Sequence, residues 1–144
     1  MKKLIRYPFE FPINIAWGDM DAFGHVNNVM YAKYFETARA DLFSKEEFWN
    51  TKSSVLEEGP VLVKMEMEYR KQVKYPATIL VTLGIPEITK RGFKVACTMW
   101  ENEICCASGI AEILWFDFQK QKIGRIPEQI VSYFAKFENL NGQK

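Results

Sequence analysis

Long hydrophobic runs are missing from this chain, and no stretch approaches membrane-spanning length. The start, MKKLIRYPFEFPINIAWGD, is basic, but Tyr7, Pro8 and Glu10 interrupt its apolar residues too early for a signal peptide, so a soluble cytoplasmic protein is expected. An excess of one charge is also missing: 19 Lys and Arg stand against 18 Asp and Glu. The resulting +1 supplies no field for sequence-independent nucleic-acid binding, and any affinity for anions must be local. Cysteine is sparse: Cys97, Cys105 and Cys106, an odd set with two adjacent, make a poor disulfide framework and have no zinc spacing. Neither Cys105 nor Cys106 has a histidine or a glycine-rich elbow beside it, so all three read as buried reduced thiols rather than nucleophiles. Histidine occurs once, at His25. Repeats, low-complexity tracts and linkers are absent, and residues 1–144 read as a single domain.

What is present is apolar and aromatic. Hydrophobic residues make up 48% and aromatics 15%, enough for a dense core, a roomy apolar pocket or an apolar subunit interface. Phe11, Ile13, Ile15 and Trp17 alternate with Pro12, Asn14, Ala16 and Gly18, which predicts a first strand. From about Asn28 the period changes. Tyr31, Phe35, Ala38 and Leu42 fall at helical steps, with Met30 and Tyr34 widening the stripe. Ser44 and Glu47 have capping-box form and predict a short second helix around Lys45 to Asn50. Beyond it the chain reads as strands. Val61, Val63, Met65, Met67 and Tyr69 alternate with polar or outward residues, and Ala77 to Ile88 follows with Pro86 marking a bulge or an edge. RGFKVACTMWENEICCASGIAEILWFDF reads as two strands joined at Glu101 to Glu103, and RIPEQIVSYFAKF as a closing helix with Pro127 in its first turn. The order predicts an α+β fold: an antiparallel sheet that must bury the stripe of one long helix. Sheet edges left uncovered are commonly removed by pairing, so an obligate homodimer is expected.

Between the first strand and the long helix lies GDMDAFGHVNN, Gly18 to Asn28. Unpaired N–H groups at a helix start carry the positive end of the dipole and can hold an anion or a developing oxyanion. Gly24 would let the backbone approach a ligand closely, and Asn27 or Asn28 suits the N-cap. The same residues also serve an ordinary turn, with Asp19, Asp21 and Gly24 shaping it and His25 making a structural hydrogen bond.

The segment WGDMDAFGHVNNVMYAKYFETAR resembles the hotdog-fold thioesterases, particularly the 4-hydroxybenzoyl-CoA thioesterase-like family of small acyl-CoA hydrolases. The similarity continues through MEYRKQVKYPATILV and ASGIAEILWFD to IPEQI. It implies a hotdog fold, in which a five-stranded antiparallel sheet wraps one long central helix, with a short C-terminal helix here. It implies acyl-CoA thioester hydrolysis without metal or cofactor. Carried over, Asp21 matches the catalytic carboxylate, nucleophile or general base, and Asn28 the position whose backbone N–H polarises the thioester carbonyl. The Asp-x-Asp and His-Val-Asn-Asn pattern is also similar to that of plant acyl-ACP thioesterases, which assigns a role to His25. Phe23 and Gln72 stand where those enzymes carry asparagine and glutamate, which favours the simpler Asp-centred mechanism.

Local basic residues suit a phosphorylated carrier. Within the resemblance EITKRGFK looks like the strand that meets the nucleotide phosphate, making Lys90 and Arg91 the preferred pair and Arg70 and Lys71 the next. Tyr31, with Tyr34 and Phe35, would line an acyl slot or simply fill the core. Three readings follow: an acyl-CoA thioesterase, dimeric or a dimer of dimers; a thioesterase acting on acyl-ACP; and a non-catalytic acyl-thioester-binding module. A hydratase on this fold fits the motif less well.

Overall fold

The computed structural model of the chain describes residues 4–45 and 57–138. Phe9, Phe11 and Ile13 face inward along β1 (Phe9–Asn14), paired antiparallel to a later strand. The strand stops before the alternation does. The Asp19 carboxylate accepts the Ala16 N–H at 3.0 Å and the Asp19 N–H donates to the Ala16 carbonyl at 2.9 Å, folding Trp17–Asp19 into a short 3-10 turn. Ile15 remains buried, whereas Trp17 is turned outward and 73% exposed, contrary to the alternation that places it on the buried face.

The expected long helix is α1 (Asn28–Ser44), which buries Tyr31, Tyr34, Phe35, Ala38, Arg39, Leu42 and Phe43 along one side. Arg39 enters that stripe with its guanidinium over the Phe35 ring, 4.4 Å from the centroid. The short helix expected over Lys45 to Asn50 lies outside the described residues, apart from Lys45, which closes α1.

Four long strands follow: β2 (Glu58–Tyr69), β3 (Thr78–Ile88), β4 (Gly92–Glu101) and β5 (Ile104–Asp117). A two-residue β6 (Lys122–Ile123) pairs with β5, a sixth strand beyond the expected five, and α2 (Glu128–Glu138) completes the described chain. The sheet order is β1-β3-β4-β5-β2 and every pairing is antiparallel. The tight β4–β5 turn uses Asn102 at φ 55°.

Two local shifts modify the sequence pattern. In β2 the register slips between Leu62 and Lys64, so Val61 and the residues Met65, Met67 and Tyr69 face opposite sides of the sheet. Unbroken alternation from Val61 to Tyr69 therefore does not hold, and Val63, left out of register at the bulge, is 52% exposed. In β3 the shift falls between Gly84 and Glu87, so Pro86 marks a bulge in an interior strand rather than an edge.

The inner face of the sheet, with Val81, Leu83, Phe93, Val95, Met99, Ala111 and Ile113 all buried, receives α1 and α2. Phe43 of α1 and Phe134 of α2 close around Phe93, with ring centroids 5.7 Å and 4.8 Å from it. The outer face is crossed by the N-terminal segment: the Thr98 hydroxyl donates to the Ile5 carbonyl at 2.7 Å and the Tyr7 N–H donates to the Thr82 hydroxyl at 3.0 Å. At the other end of α1, the Val26 N–H donates to the Val73 carbonyl at 2.8 Å and Tyr31 meets the Tyr69 ring edge-on at 5.4 Å. The helix start is thereby fixed where β2 ends and β3 is about to begin.

Phe35 is fully buried at the centre of this packing. Phe35→Ala is expected to cost about 3–5 kcal/mol through lost transfer energy and a residual cavity, read as a lower urea midpoint at unchanged slope.

Candidate active site

The loop from Met20 to Asn27 is a small closed structure. Met20 and Val26 form an antiparallel bridge, the Asp21 N–H donates to the His25 carbonyl at 2.8 Å, and the Gly24 N–H donates to the Asp21 carbonyl at 3.1 Å. Gly24 turns the chain at φ +81°, a conformation that glycine adopts without penalty. The Asn27 side chain accepts the Val29 N–H at 3.0 Å, so Asn27 is the N-cap and Asn28 the first helical residue.

The two carboxylates of the motif have different surroundings. Asp19 Oδ2 accepts both the Ala16 N–H at 3.0 Å and the Tyr34 hydroxyl at 2.7 Å, and the Asp19 carbonyl accepts the Asn27 N–H at 3.0 Å. Asp21 uses Oδ1 to accept the Phe23 N–H at 2.9 Å, while among the described residues nothing donates to Oδ2. Among the same residues the Asn28 N–H has no acceptor. Asp21, His25, Asn28, Tyr31, Arg70 and Lys71 all line one open cavity of about 690 Å³, together with Phe23, Val26, Tyr69 and Gln72.

Of the helix aromatics suggested for an acyl slot, only Tyr31 reaches this cavity. Tyr34 turns toward Asp19, and Phe35 lies wholly in the core. Burial, with Cys106 nearby, pushes the Tyr31 hydroxyl up to about 12, so it remains a neutral donor at ordinary pH. Burial and the bond to Asp19 raise Tyr34 as well. The two cations are already paired at the surface. Arg70 contacts Glu68 and donates to the Ser108 hydroxyl at 3.0 Å, and Lys71 stands 3.9 Å from Glu101. Lys74 lines an adjoining recess that shares His25, Lys71 and Gln72 with the cavity.

Lys90 and Arg91 are not brought to the cavity within one chain. They form the β3–β4 turn, where the Lys90 carbonyl accepts the Ile126 N–H at 2.9 Å and the Arg91 carbonyl accepts the Trp115 N–H at 2.8 Å. That turn lies at the end of α1 opposite Asn28, on the order of 25 Å away by helix rise. The cysteines are buried, as expected, and burial raises the pKa of each thiol away from the reactive thiolate. Sequence reasoning missed the Asp19–Tyr34 bond. The available signal was a tyrosine on the flank of the helical stripe, fifteen residues after a turn aspartate.

A model of the thioesterase-like superfamily matches residues 15–134. The chain belongs to that superfamily. It is a thioester hydrolase of the hotdog fold, and its motif residues lie at the start of the central helix. The chain is 22% identical over 129 residues to a Haemophilus influenzae protein named acyl-CoA thioesterase YbgC, covering 88% of this chain and 93% of that one. Among solved structures, the PA2801 protein of Pseudomonas aeruginosa matches with a TM-score of 0.80 at 26% identity, covering 87% of this chain and 96% of that one. The PA5185 protein of the same organism shares the fold with a TM-score of 0.86 at 20% identity, covering 96% of both chains.

At Gly24 a Cβ would meet nothing within 4 Å, so the cost of a side chain there is torsional. Gly24→Ala is expected to lose about 1–2 kcal/mol in chemical denaturation. Tyr31 gives a second expectation. Its folded-state pKa of about 12 lies above the ordinary tyrosine value of 10.0, so its contribution is fully present below pH 10 and is lost as pH rises toward 12. Tyr31→Phe should flatten that limb of a stability-against-pH curve measured by urea unfolding.

Proposed function

We propose that the protein hydrolyses acyl-CoA thioesters in the cavity at the start of α1, with Asp21 as the reacting carboxylate and the Asn28 N–H as the oxyanion donor. The observation that carries this reading is that Asp21 and Asn28 line one cavity while, among the described residues, the Asp21 carboxylate accepts only the Phe23 N–H, on Oδ1. A thioester is an activated acyl group, so its hydrolysis needs an attacking or proton-accepting carboxylate and a dipole on the carbonyl oxygen. As general base, Asp21 takes a proton from water, the water oxygen bonds to the acyl carbon, and negative charge develops on the oxygen facing Asn28. Collapse breaks the carbon–sulfur bond, and the CoA thiolate leaves to take up the proton. As nucleophile, Asp21 bonds to the acyl carbon and the carbon–sulfur bond breaks to release CoA thiolate; water then opens the mixed anhydride to free acid and the Asp21 carboxylate, and its proton goes to the thiolate. Either route uses Oδ2. Gly24 keeps the loop against the substrate, Tyr31 meets the acyl group, and His25, Arg70 and Lys71 border the entrance.

The long edge of β2 supports a homodimer. Leu62 is 44%, Val63 52% and Tyr69 50% exposed on a twelve-residue strand whose outer side has no neighbour in the sheet among the described residues. Two-fold antiparallel pairing of two such edges sets the Tyr69 end of one copy beside the Glu58 end of the other. The row Gly92, Leu114, Val61 lies near that Glu58 end, so the turn holding Lys90 and Arg91 of the second copy would come within about three strand spacings, roughly 14 Å, of the cavity. In that pairing Lys90 and Arg91 meet the CoA phosphates, in keeping with the basic pair named from the sequence.

The test follows free thiol from short, long and aromatic acyl-CoAs. Asp21→Asn is expected to lower release about 10²–10⁴-fold while ligand binding persists. Wild-type rates in that variant would refute the assignment, and hydrolysis of acyl-ACP alone would move the substrate to a protein carrier. Replacing Lys90 and Arg91 with alanine should raise KM for acyl-CoA about 5- to 30-fold, at roughly 0.5–1 kcal/mol per lost exposed charge contact, with a smaller change for a thioester lacking the nucleotide. Equal KM shifts for both substrates would count against a phosphate role.

A further inference from the structure

We infer that Asp19 and Tyr34 form a positioning couple that sets the Asp21 loop against the start of α1. The inference rests on the assignment of Asp21 and Asn28 above. Asp19 is tied at three places to the two ends of the loop and to the helix. Its Oδ2 accepts the Ala16 N–H at 3.0 Å, its carbonyl accepts the Asn27 N–H at 3.0 Å, and its Oδ2 also accepts the Tyr34 hydroxyl at 2.7 Å. The first two bonds close the loop on itself. Only the third runs from the loop to the body of the helix.

That third bond has the properties of a fixed strut. Tyr34 lies six residues beyond Asn28, is 4% exposed, and packs edge-on against Tyr31, with ring centroids 6.1 Å apart. Its ring is therefore held by the core, and its hydroxyl reports the position of α1 to the turn. The acceptor is a carboxylate, which makes a stronger bond than a neutral oxygen and can receive Ala16 and Tyr34 together. Asp21 follows two residues later, inside the hydrogen-bonded loop, while the Asn28 N–H belongs to the helix itself. Fixing Asp19 to Tyr34 thus fixes the carboxylate relative to the oxyanion donor. Neither Asp19 nor Tyr34 lines the cavity that holds Asp21, so neither touches the reacting atoms.

The experiment compares Tyr34→Phe, Asp19→Asn, Asp19→Ala and the Tyr34→Phe, Asp19→Ala double variant in the full chain. The substrate is the acyl-CoA that the wild type hydrolyses fastest. Tyr34→Phe keeps the buried ring and removes only the strut, so kcat should fall roughly 10- to 100-fold with KM within about two-fold. Asp19→Asn keeps an acceptor oxygen and should retain more activity than Asp19→Ala. The double variant should match Asp19→Ala, because both substitutions break the same bond. Amide hydrogen exchange supplies a readout that needs no turnover: the Asp21, Gly24 and Asn27 amides should exchange faster in Tyr34→Phe while mid-α1 amides stay unchanged. Wild-type kcat in Tyr34→Phe, multiplying losses in the double variant, or unchanged loop exchange would each overturn the couple. If the wild type releases no thiol, or Asp21→Asn keeps full activity, the catalytic assignment fails, and loop exchange alone decides whether the strut exists.

Discussion

Burial of the α1 stripe against the inner face of the sheet is the constraint from which the site follows. Phe35, Ala38 and Leu42 are fully buried, and Phe43 is locked among Phe93 and Phe134 at the far end. A rigid helix held along its length and at its C-terminal end leaves its first turn little freedom. The Val26 N–H on the Val73 carbonyl and Tyr31 on Tyr69 complete the fixation at the other end. The helix start, with its unpaired N–H and dipole end, is therefore presented at a defined place beside the end of β2. Hydrophobic packing, which has no directional preference of its own, here aims a directional group.

A division of labour between two neighbouring carboxylates follows from that geometry. Asp19 Oδ2 is bound to the Ala16 N–H and the Tyr34 hydroxyl away from the cavity, whereas Asp21 lines the cavity and is held through Oδ1 by the Phe23 N–H. Asp21 shares the cavity with Asn28, Gln72 and the Tyr31 hydroxyl, which burial keeps protonated. The cations Arg70 and Lys71 stand at its border, paired with Glu68 and Glu101 at the surface. Exposed pairs of this kind contribute little to stability, so their exchange for a ligand phosphate costs little. The buried thiols, by contrast, sit in the strands as small apolar side chains.

Departures from the sequence pattern occur where a local hydrogen bond or a bulge outweighs periodicity. Alternation from Phe11 predicts a strand through Trp17, but the Asp19 carboxylate captures the Ala16 N–H and ends it at Asn14. Alternation in β2 predicts one apolar face, but the bulge between Leu62 and Lys64 transfers Val61 to the other. Each departure has a use. The first makes the turn that carries the motif, and the second bends the edge strand on which the proposed pairing depends.

The sequence by itself determined the element order, the helical stripe and the motif at the helix start, because side-chain period and turn chemistry are properties of adjacent residues. It also marked Asp21, Asn28 and His25 as neighbours, since all three fall within eight residues of one turn. Only the tertiary structure decided which aspartate lines the cavity and which is tied to the body of the helix. The competing donor, Tyr34, reaches Asp19 through the packing of α1 and not through any spacing visible along the chain. The same holds for Tyr31 facing the cavity while Phe35 does not, and for Arg70 and Lys71 joining Asp21 from the end of another strand. Lys90 and Arg91 show the converse: a basic pair conspicuous in the sequence lies at the far end of the helix, because antiparallel strands carry each turn to one end of the sheet or the other.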